Sequence, residues 1–193
     1  MPISSGAKKL NVRGNTLERS PLDHDDVLSA IAYVKRLDYI DADRVGMVGV
    51  SHGGELIMKA VSETHIAAAV RAEPASLEYL ALAMDKLPAG EPQLQSKARA
   101  SELSDRAEAM GRIRDIDTPL LIVGRNGDHL RGLFKLCHDM LQEADKDVTW
   151  KSYAYPRHGF VMPRRAPDGV YHPDEIQLKA IEDVMAYFDK KMP

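Results

Sequence analysis

The amino-acid sequence predicts an α/β fold: a doubly wound, mostly parallel sheet with helices on both faces and a small helical cap. Three observations predict it. Short apolar runs at 45–50, 66–71 and 120–124, with an alternating run at 148–153, have the length and composition of strands. Segments of helical periodicity separate them, the pattern of βαβ units. The first strand also runs straight into Gly49-Val50-Ser51-His52-Gly53 and a further helix, so that a sharp turn joins the two elements.

Taken in order, residues 1–21 are rich in Ser, Gly, Asn and basic side chains, with one short extended piece at 10–12 before a turn at Arg13-Gly14-Asn15. Helical patterning begins near Asp23: Val27, Ile31, Val34 and Leu37 recur at helical spacing, and Asp23, Asp25 and Asp26 suit a helix N-terminus. That acidic cluster with His24 reads as capping and solvation, because no further ligands are spaced to complete a metal site. The strand at 45–50 reads as buried on both faces, and a helix follows at about 53–62. The next strand, 66–71, is Ala-rich and closed by Glu73-Pro74. Two or three helices are expected over 77–114, broken by Pro88, Gly90 and Pro92, and they could form a cap within a single domain spanning 1–193. Pro119 precedes the strand at 120–124, a helix follows at about 132–144, and 148–153 alternates as a strand. The last helix, about 174–190, is expected to bury Ile176, Ile181, Val184 and Phe188.

The chain has 193 residues, 44% of them apolar and 28% charged, with a net charge of -3. One domain with one core fits that length. The charges are interspersed, without the basic footprint of a nucleic-acid binder. No apolar run is long enough to span a bilayer, and the N-terminus lacks the apolar stretch of a signal peptide. Cys137 is the single cysteine, so no intramolecular disulfide is expected and a reducing, cytoplasmic setting is the default.

The chemistry is carried by residues at the strand ends. A serine nucleophile has to project from a strained strand-to-helix turn, and flanking glycines let the backbone pass where a Cβ would clash. Ser51 sits at such a turn, and the helix that starts there aims its first amides, beginning with His52 N–H, at a developing oxyanion. Serine needs an adjacent base held in one tautomer by a third group. Asp128 follows the strand at 120–124 and His158 follows the strand at 148–153, both at carboxyl ends, where ligand sites of open α/β sheets gather. Ser51, Asp128 and His158 are therefore the candidate nucleophile, acid and base. His52, His129 and Phe160 are candidates for oxyanion or substrate contacts, with Leu130 and Met162 as further pocket guesses; core packing is an equally good reading of Phe160.

Rivals are weaker. His65, His138 and His172 lie on helices or their flanks; Asp117 precedes its strand and Asp139 lies inside a helix, each at the wrong end for the acid. Cys137, among Leu133, Leu136 and Met140, reads as a small core residue.

The elbow GVSHGG, the strand PLLIVGRNGD and the run DVTWKSYAYPRHGFV resemble the dienelactone hydrolase and prolyl-oligopeptidase branch of the α/β-hydrolases, from about Asp25 to the C-terminus. The Ser, Asp, His order matches that superfamily. Dienelactone hydrolases proper use a cysteine nucleophile; Ser51 points to the esterase and peptidase-like relatives. Family members carry further strands before the elbow, one followed by a His-Gly-Gly type loop that supplies the other oxyanion amide, and this sequence has none before Ser51. The resemblance thus implies a truncated α/β-hydrolase fold with one oxyanion donor unaccounted for and an exposed strand edge. A homodimer or higher oligomer is expected, with N-terminal segments or sheet edges completing each other.

The expected reaction is hydrolysis of carboxylic esters, short acyl chains favoured, through an acyl-enzyme on Ser51. Activity should fall at acid pH with a midpoint near roughly 6–7 as His158 protonates. No metal or organic cofactor is required, and neither nucleic acid nor membrane is expected as a partner. Two alternatives stay open: a peptidase or amidase with the same triad, and a non-catalytic binding protein of the same fold.

Overall fold

The computed structural model describes residues 21–87 and 93–193. The expected extended piece at 10–12, the turn at 13–15 and the breakers Pro88, Gly90 and Pro92 lie outside the described residues. Helix α1 spans Pro21–Val34, β1 Gly46–Val50, α2 His52–Val61 and β2 Ala68–Ala72. Then come α3 Lys97–Leu103, α4 Arg106–Arg114, β3 Leu120–Arg125, α5 Arg131–Glu143, β4 Val148–Tyr153 and α6 Glu175–Lys191. Short 3-10 turns lie at Ala42–Arg44 and Met84–Lys86.

All four strands are parallel and lie in the order β1-β2-β3-β4. Sequential parallel neighbours require each connection to cross over a face of the sheet, which is why helices intervene. The consequence for function is that four strand C-termini, and the four loops that leave them, lie along one edge.

The strand alternation divides the core. Ala69 of β2 with Leu120 and Ile122 of β3 packs against Ile57 and Met58 of α2 and Phe134 and Cys137 of α5. On the other face Ala68, Val70 and Ala72 with Leu121 and Val123 pack against Ala180 and Tyr187 of α6. The segment between β2 and β3 belongs to the first face: Leu80, Leu94, Ala100, Leu103 and Ile113 join that same cluster. Its seat on α5 is close, since a Cβ on Gly132 would lie 2.3 Å from the Ser96 carbonyl carbon.

Two expectations need correcting. The first strand is not buried on both faces, since Val48 is 43% exposed; β1 is the edge strand of the described sheet, where the resemblance implied an exposed edge. An apolar run reports strand character but not position in the sheet. In α6 the inward stripe is Gln177, Ala180, Val184, Tyr187 and Phe188, whereas Ile176 is 37% exposed. A capping box sets that phase: Asp174 accepts from the Gln177 amide at 2.9 Å, Gln177 accepts from the Asp174 amide at 3.1 Å, and Gln177 Nε2 donates to the Phe160 carbonyl at 3.0 Å. Gln177 therefore faces the molecule, and its neighbour Ile176 is rotated outward. No described helix is long and apolar enough to cross a membrane.

Candidate active site

Ser51 occupies the turn between β1 and α2 with φ 55 and ψ -117, a conformation that costs a non-glycine residue on the order of 1–3 kcal/mol. The surroundings enforce it. Ser51 N donates to the Ala72 carbonyl at 3.0 Å, and the Ser51 carbonyl accepts from Ala75 and Gly54, both at 2.9 Å. A Cβ on Gly49 would lie 2.4 Å from the Gly53 carbonyl oxygen, and one on Gly54 would lie 2.5 Å from Pro74 Cβ. Those two glycines are sterically required. A Cβ on Gly53 would meet nothing within 4 Å, so the second glycine of the five-residue pattern is not the one that the packing demands. Because α2 begins at His52, the amides of His52 and Gly53 lack intrahelical acceptors and leave the helix at its positive end.

Asp128 and His158, the candidate acid and base, lie beside each other. Asp128, on the loop after β3, is 0% exposed; its Oδ1 accepts from Leu130 N at 2.8 Å and its Oδ2 from Arg125 Nη2 at 2.7 Å. Burial alone would raise the Asp128 carboxyl, but His158, the Leu130 amide and Arg125 together outweigh it and hold it below the usual carboxylate range. His158 lies on the loop after β4 with its side chain 42% exposed and Nδ1 3.8 Å from Asp128 Oδ2. With Nδ1 turned toward the carboxylate, Nε2 is the nitrogen left to exchange a proton with substrate or nucleophile. Ser51 is not joined to this pair directly: among the described residues its hydroxyl makes no hydrogen bond to His158, and the cleft of about 440 Å³ beside His158 is lined by Arg157, Met162, Arg164 and His172 among others, without Ser51.

A second carboxylate stands at the site. Glu73, at the turn after β2, is 0% exposed with φ 45. Its Oε1 accepts from Arg125 Nε and lies 3.4 Å from His158 Nδ1, and its Oε2 accepts from Gly159 N at 2.6 Å. Arg125 ties the loops together, reaching Glu73, Asp128 and, through Nη1 at 3.2 Å, the Pro156 carbonyl. Two buried carboxylates against one guanidinium leave one negative charge for His158 to balance. The imidazolium is accordingly stabilised, by Asp128 first and Glu73 next, and its pKa is pushed up to about 9.

One ligand atom from each of Glu73, Asp128 and His158 lies within 4.8 Å of the others, a spacing that could receive a metal ion. Arg125 already supplies the counter-charge of both carboxylates, and an ion would have to displace it.

The remaining candidates separate by packing. Phe160, the substrate-contact candidate, is 2% exposed and stacks on Tyr155 at 5.1 Å between centroids, beside Tyr153 at 5.5 Å; it is a core residue that fixes the base loop. The His52 ring turns toward α1, 3.5 Å from Asp23, so its backbone amide is what the elbow presents. His129 Nδ1 lies 3.5 Å from Asp128 Oδ1. Leu130 is buried, while Met162 is exposed and lines the cleft. His172, set aside from the sequence, lines that cleft too and pairs with Asp168 at 2.6 Å. Glu73 and Arg125 were missed. The signal for Glu73 was available, since it ends a strand at its carboxyl edge as Asp128 and His158 do.

The sequence pattern of the prolyl oligopeptidase family matches residues 21–192. Among solved structures the chain is similar to the acylaminoacyl peptidase of Pyrococcus horikoshii, at 22% identity and a TM-score of 0.60, covering 88% of this chain and 28% of that one. It is similar to an esterase of the fungus Rhizomucor miehei at 19% identity and a TM-score of 0.64, covering 90% of this chain and 61% of that one. It is also similar to dipeptidyl peptidase 4 of Porphyromonas gingivalis at 16% identity and a TM-score of 0.59, covering 88% and 22% respectively. The chain thus spans less than two thirds of these proteins' length. No curated protein sequence matches it. With nearly the whole described chain under the family pattern, and a parallel α/β sheet carrying a serine elbow as its fold, this protein belongs to the prolyl oligopeptidase family of the α/β-hydrolases.

Proposed function

We propose that the chain is a serine hydrolase that cleaves carboxylic esters, with Ser51 as nucleophile, His158 as base and Asp128 as acid. The observation that carries this reading is the strained Ser51 turn at the N-terminus of α2, on the same sheet edge as a histidine whose Nδ1 faces a buried aspartate. His158 Nε2 takes the Ser51 hydroxyl proton as Oγ attacks the ester carbonyl. The His52 amide receives the oxyanion, and Asp128 holds the imidazolium. His158 returns the proton to the departing alcohol; water then repeats the sequence on the acyl-enzyme and releases the acid. The reading requires the Ser51 hydroxyl to reach His158 Nε2 in the substrate complex; catalytic hydrogen bonds are commonly long or unmade in unliganded hydrolases.

The test compares p-nitrophenyl acetate and butyrate hydrolysis by wild type, Ser51→Ala and His158→Ala. Loss of nearly all turnover in both variants supports the reading. Equal slow rates in all three would mean that the site does not work as a hydrolase and that the protein is a binding member of its family. A peptidase reading is favoured by one observation, the match to the prolyl oligopeptidase family. Cleavage of acyl-peptide anilides at rates comparable to esters would select it.

The same reading includes association of two copies through the β1 edge, where Val48 is exposed. Light scattering returning a monomer mass at micromolar concentrations would overturn it.

A further inference from the structure

We propose that Glu73 is a second carboxylate partner of His158, a positioning residue that shares the Nδ1 side of the imidazole with Asp128 and locks the loop carrying it. The proposal rests on the reading of His158 as the catalytic base.

The geometry gives Glu73 two tasks at once. Its Oε1 is 3.4 Å from His158 Nδ1, against 3.8 Å for Asp128 Oδ2. Both oxygens thus lie on the same side of the ring, and one N–H can swing between them. Its Oε2 holds Gly159 N at 2.6 Å, fixing the backbone immediately after the base. Gly159 has φ +77, a conformation that favours glycine and that this hydrogen bond helps to hold. Glu73 is itself placed with care. Its backbone is in the left-handed region, its N–H donates to the Val123 carbonyl at 2.7 Å, and the segment around it holds the elbow, Ala72 through Ser51 N and Ala75, two residues on, through the Ser51 carbonyl. A buried carboxylate in a strained backbone is costly. Here the cost is met by Arg125, which bonds both carboxylates and leaves the group one charge short. The Glu73 side chain therefore joins the base loop to Arg125 and so to the acid, while the backbone of its own segment holds the serine turn.

The other charged groups near His158 are Arg157 beside it in sequence, Arg164 and the His172–Asp168 pair across the cleft, and His129 against Asp128. The arginines favour the neutral imidazole, so the raised affinity for a proton has to come from the two carboxylates.

The experiment follows the His158 ring by NMR titration in a Ser51→Ala background, where no turnover is needed, and measures pH–rate profiles in parallel. With Glu73→Gln the charge is lost; the glutamine oxygen can accept from Gly159 N only with its Nε2 turned to Arg125 Nε, which gives up that bond, so the Gly159 amide shift is followed in the same spectra to show that the loop is kept. The His158 midpoint should fall by about one unit or more from about 9, and the acid limb of kcat/KM should move with it. With Asp128→Asn, Glu73 remains. The midpoint should stay well above the ordinary histidine value of about 6.5, and the loss of turnover should be nearer 100-fold than the ~10⁴-fold expected when a base loses its only carboxylate. A midpoint unchanged by Glu73→Gln, or one returned to about 6.5 by Asp128→Asn alone, would overturn the proposal. Absence of Ser51-dependent turnover would instead remove the hydrolase reading, while leaving the titration readable.

Discussion

Raising the pH from 7 to 10 should increase kcat/KM for a simple ester about 100-fold. The magnitude follows from the charges around His158. Asp128 and Glu73 lie 3.8 and 3.4 Å from Nδ1 and share a single guanidinium, so the imidazolium persists to a pKa of about 9. A base with that pKa is neutral in only about 1% of molecules at pH 7 and in about half at pH 9. The assay is initial-rate hydrolysis of ethyl butyrate in a pH-stat, corrected for spontaneous hydrolysis, with substrate well below KM so that the free enzyme is reported. A plateau already reached by pH 8, with a midpoint of roughly 6–7, would refute the reasoning. It would mean that the carboxylates do not hold the charged ring in the free protein, and it would restore the value expected for an unpartnered histidine.

The same charge makes folding pH-dependent in a fixed direction. A folded-state pKa raised above the unfolded value of about 6.5 contributes stability that is complete below pH 6.5 and lost as the pH rises through about 9. Because the ring is 42% exposed, screening reduces the full conversion to about 1 kcal/mol, to be read from urea midpoints at pH 6 and pH 10. Gly49→Ala should cost about 1–3 kcal/mol and more than 10-fold in turnover, because its Cβ would press on the Gly53 carbonyl at 2.4 Å. Gly53→Ala, with open space around it, should leave thermal stability unchanged or raised by up to about 1 kcal/mol; a loss larger than that would show a hidden constraint at the elbow. Phe160→Ala should lower stability by about 3 kcal/mol through loss of the aromatic stack, visible as a drop in urea midpoint.

The sequence disclosed order and strand ends well because each depends on local pattern. The strand at 148–153 coincides with β4, and the loops after β3 and β4 carry Asp128 and His158 as the spacing implied. What depends on neighbours distant in sequence was harder to read. An apolar run looks the same at the edge as at the centre, so only the family resemblance, and not the run itself, pointed to the exposed edge where Val48 lies. The phase of α6 turned on Gln177, which closes a capping box with Asp174 and also donates to the Phe160 carbonyl seventeen residues away. Phe160 could be read as pocket or core until the stack with Tyr155 and Tyr153 placed it inside. Glu73 was passed over because one acid satisfied the triad. A carboxylate at a strand's carboxyl end, followed by proline, looks like an ordinary strand terminator until Arg125, His158 and the Gly159 amide are seen converging on it.

The central claim is that Ser51 is a nucleophile activated by His158, and covalent labelling tests it most directly. Incubation with an alkyl fluorophosphonate at pH 9, followed by peptide mass spectrometry, should place one phosphonyl adduct on the peptide containing Ser51. Labelling should be absent in Ser51→Ala and at least 100-fold slower in His158→Ala, in line with the usual worth of a general base. An unmodified Ser51 peptide under these conditions, or an adduct forming equally fast without His158, would contradict the account.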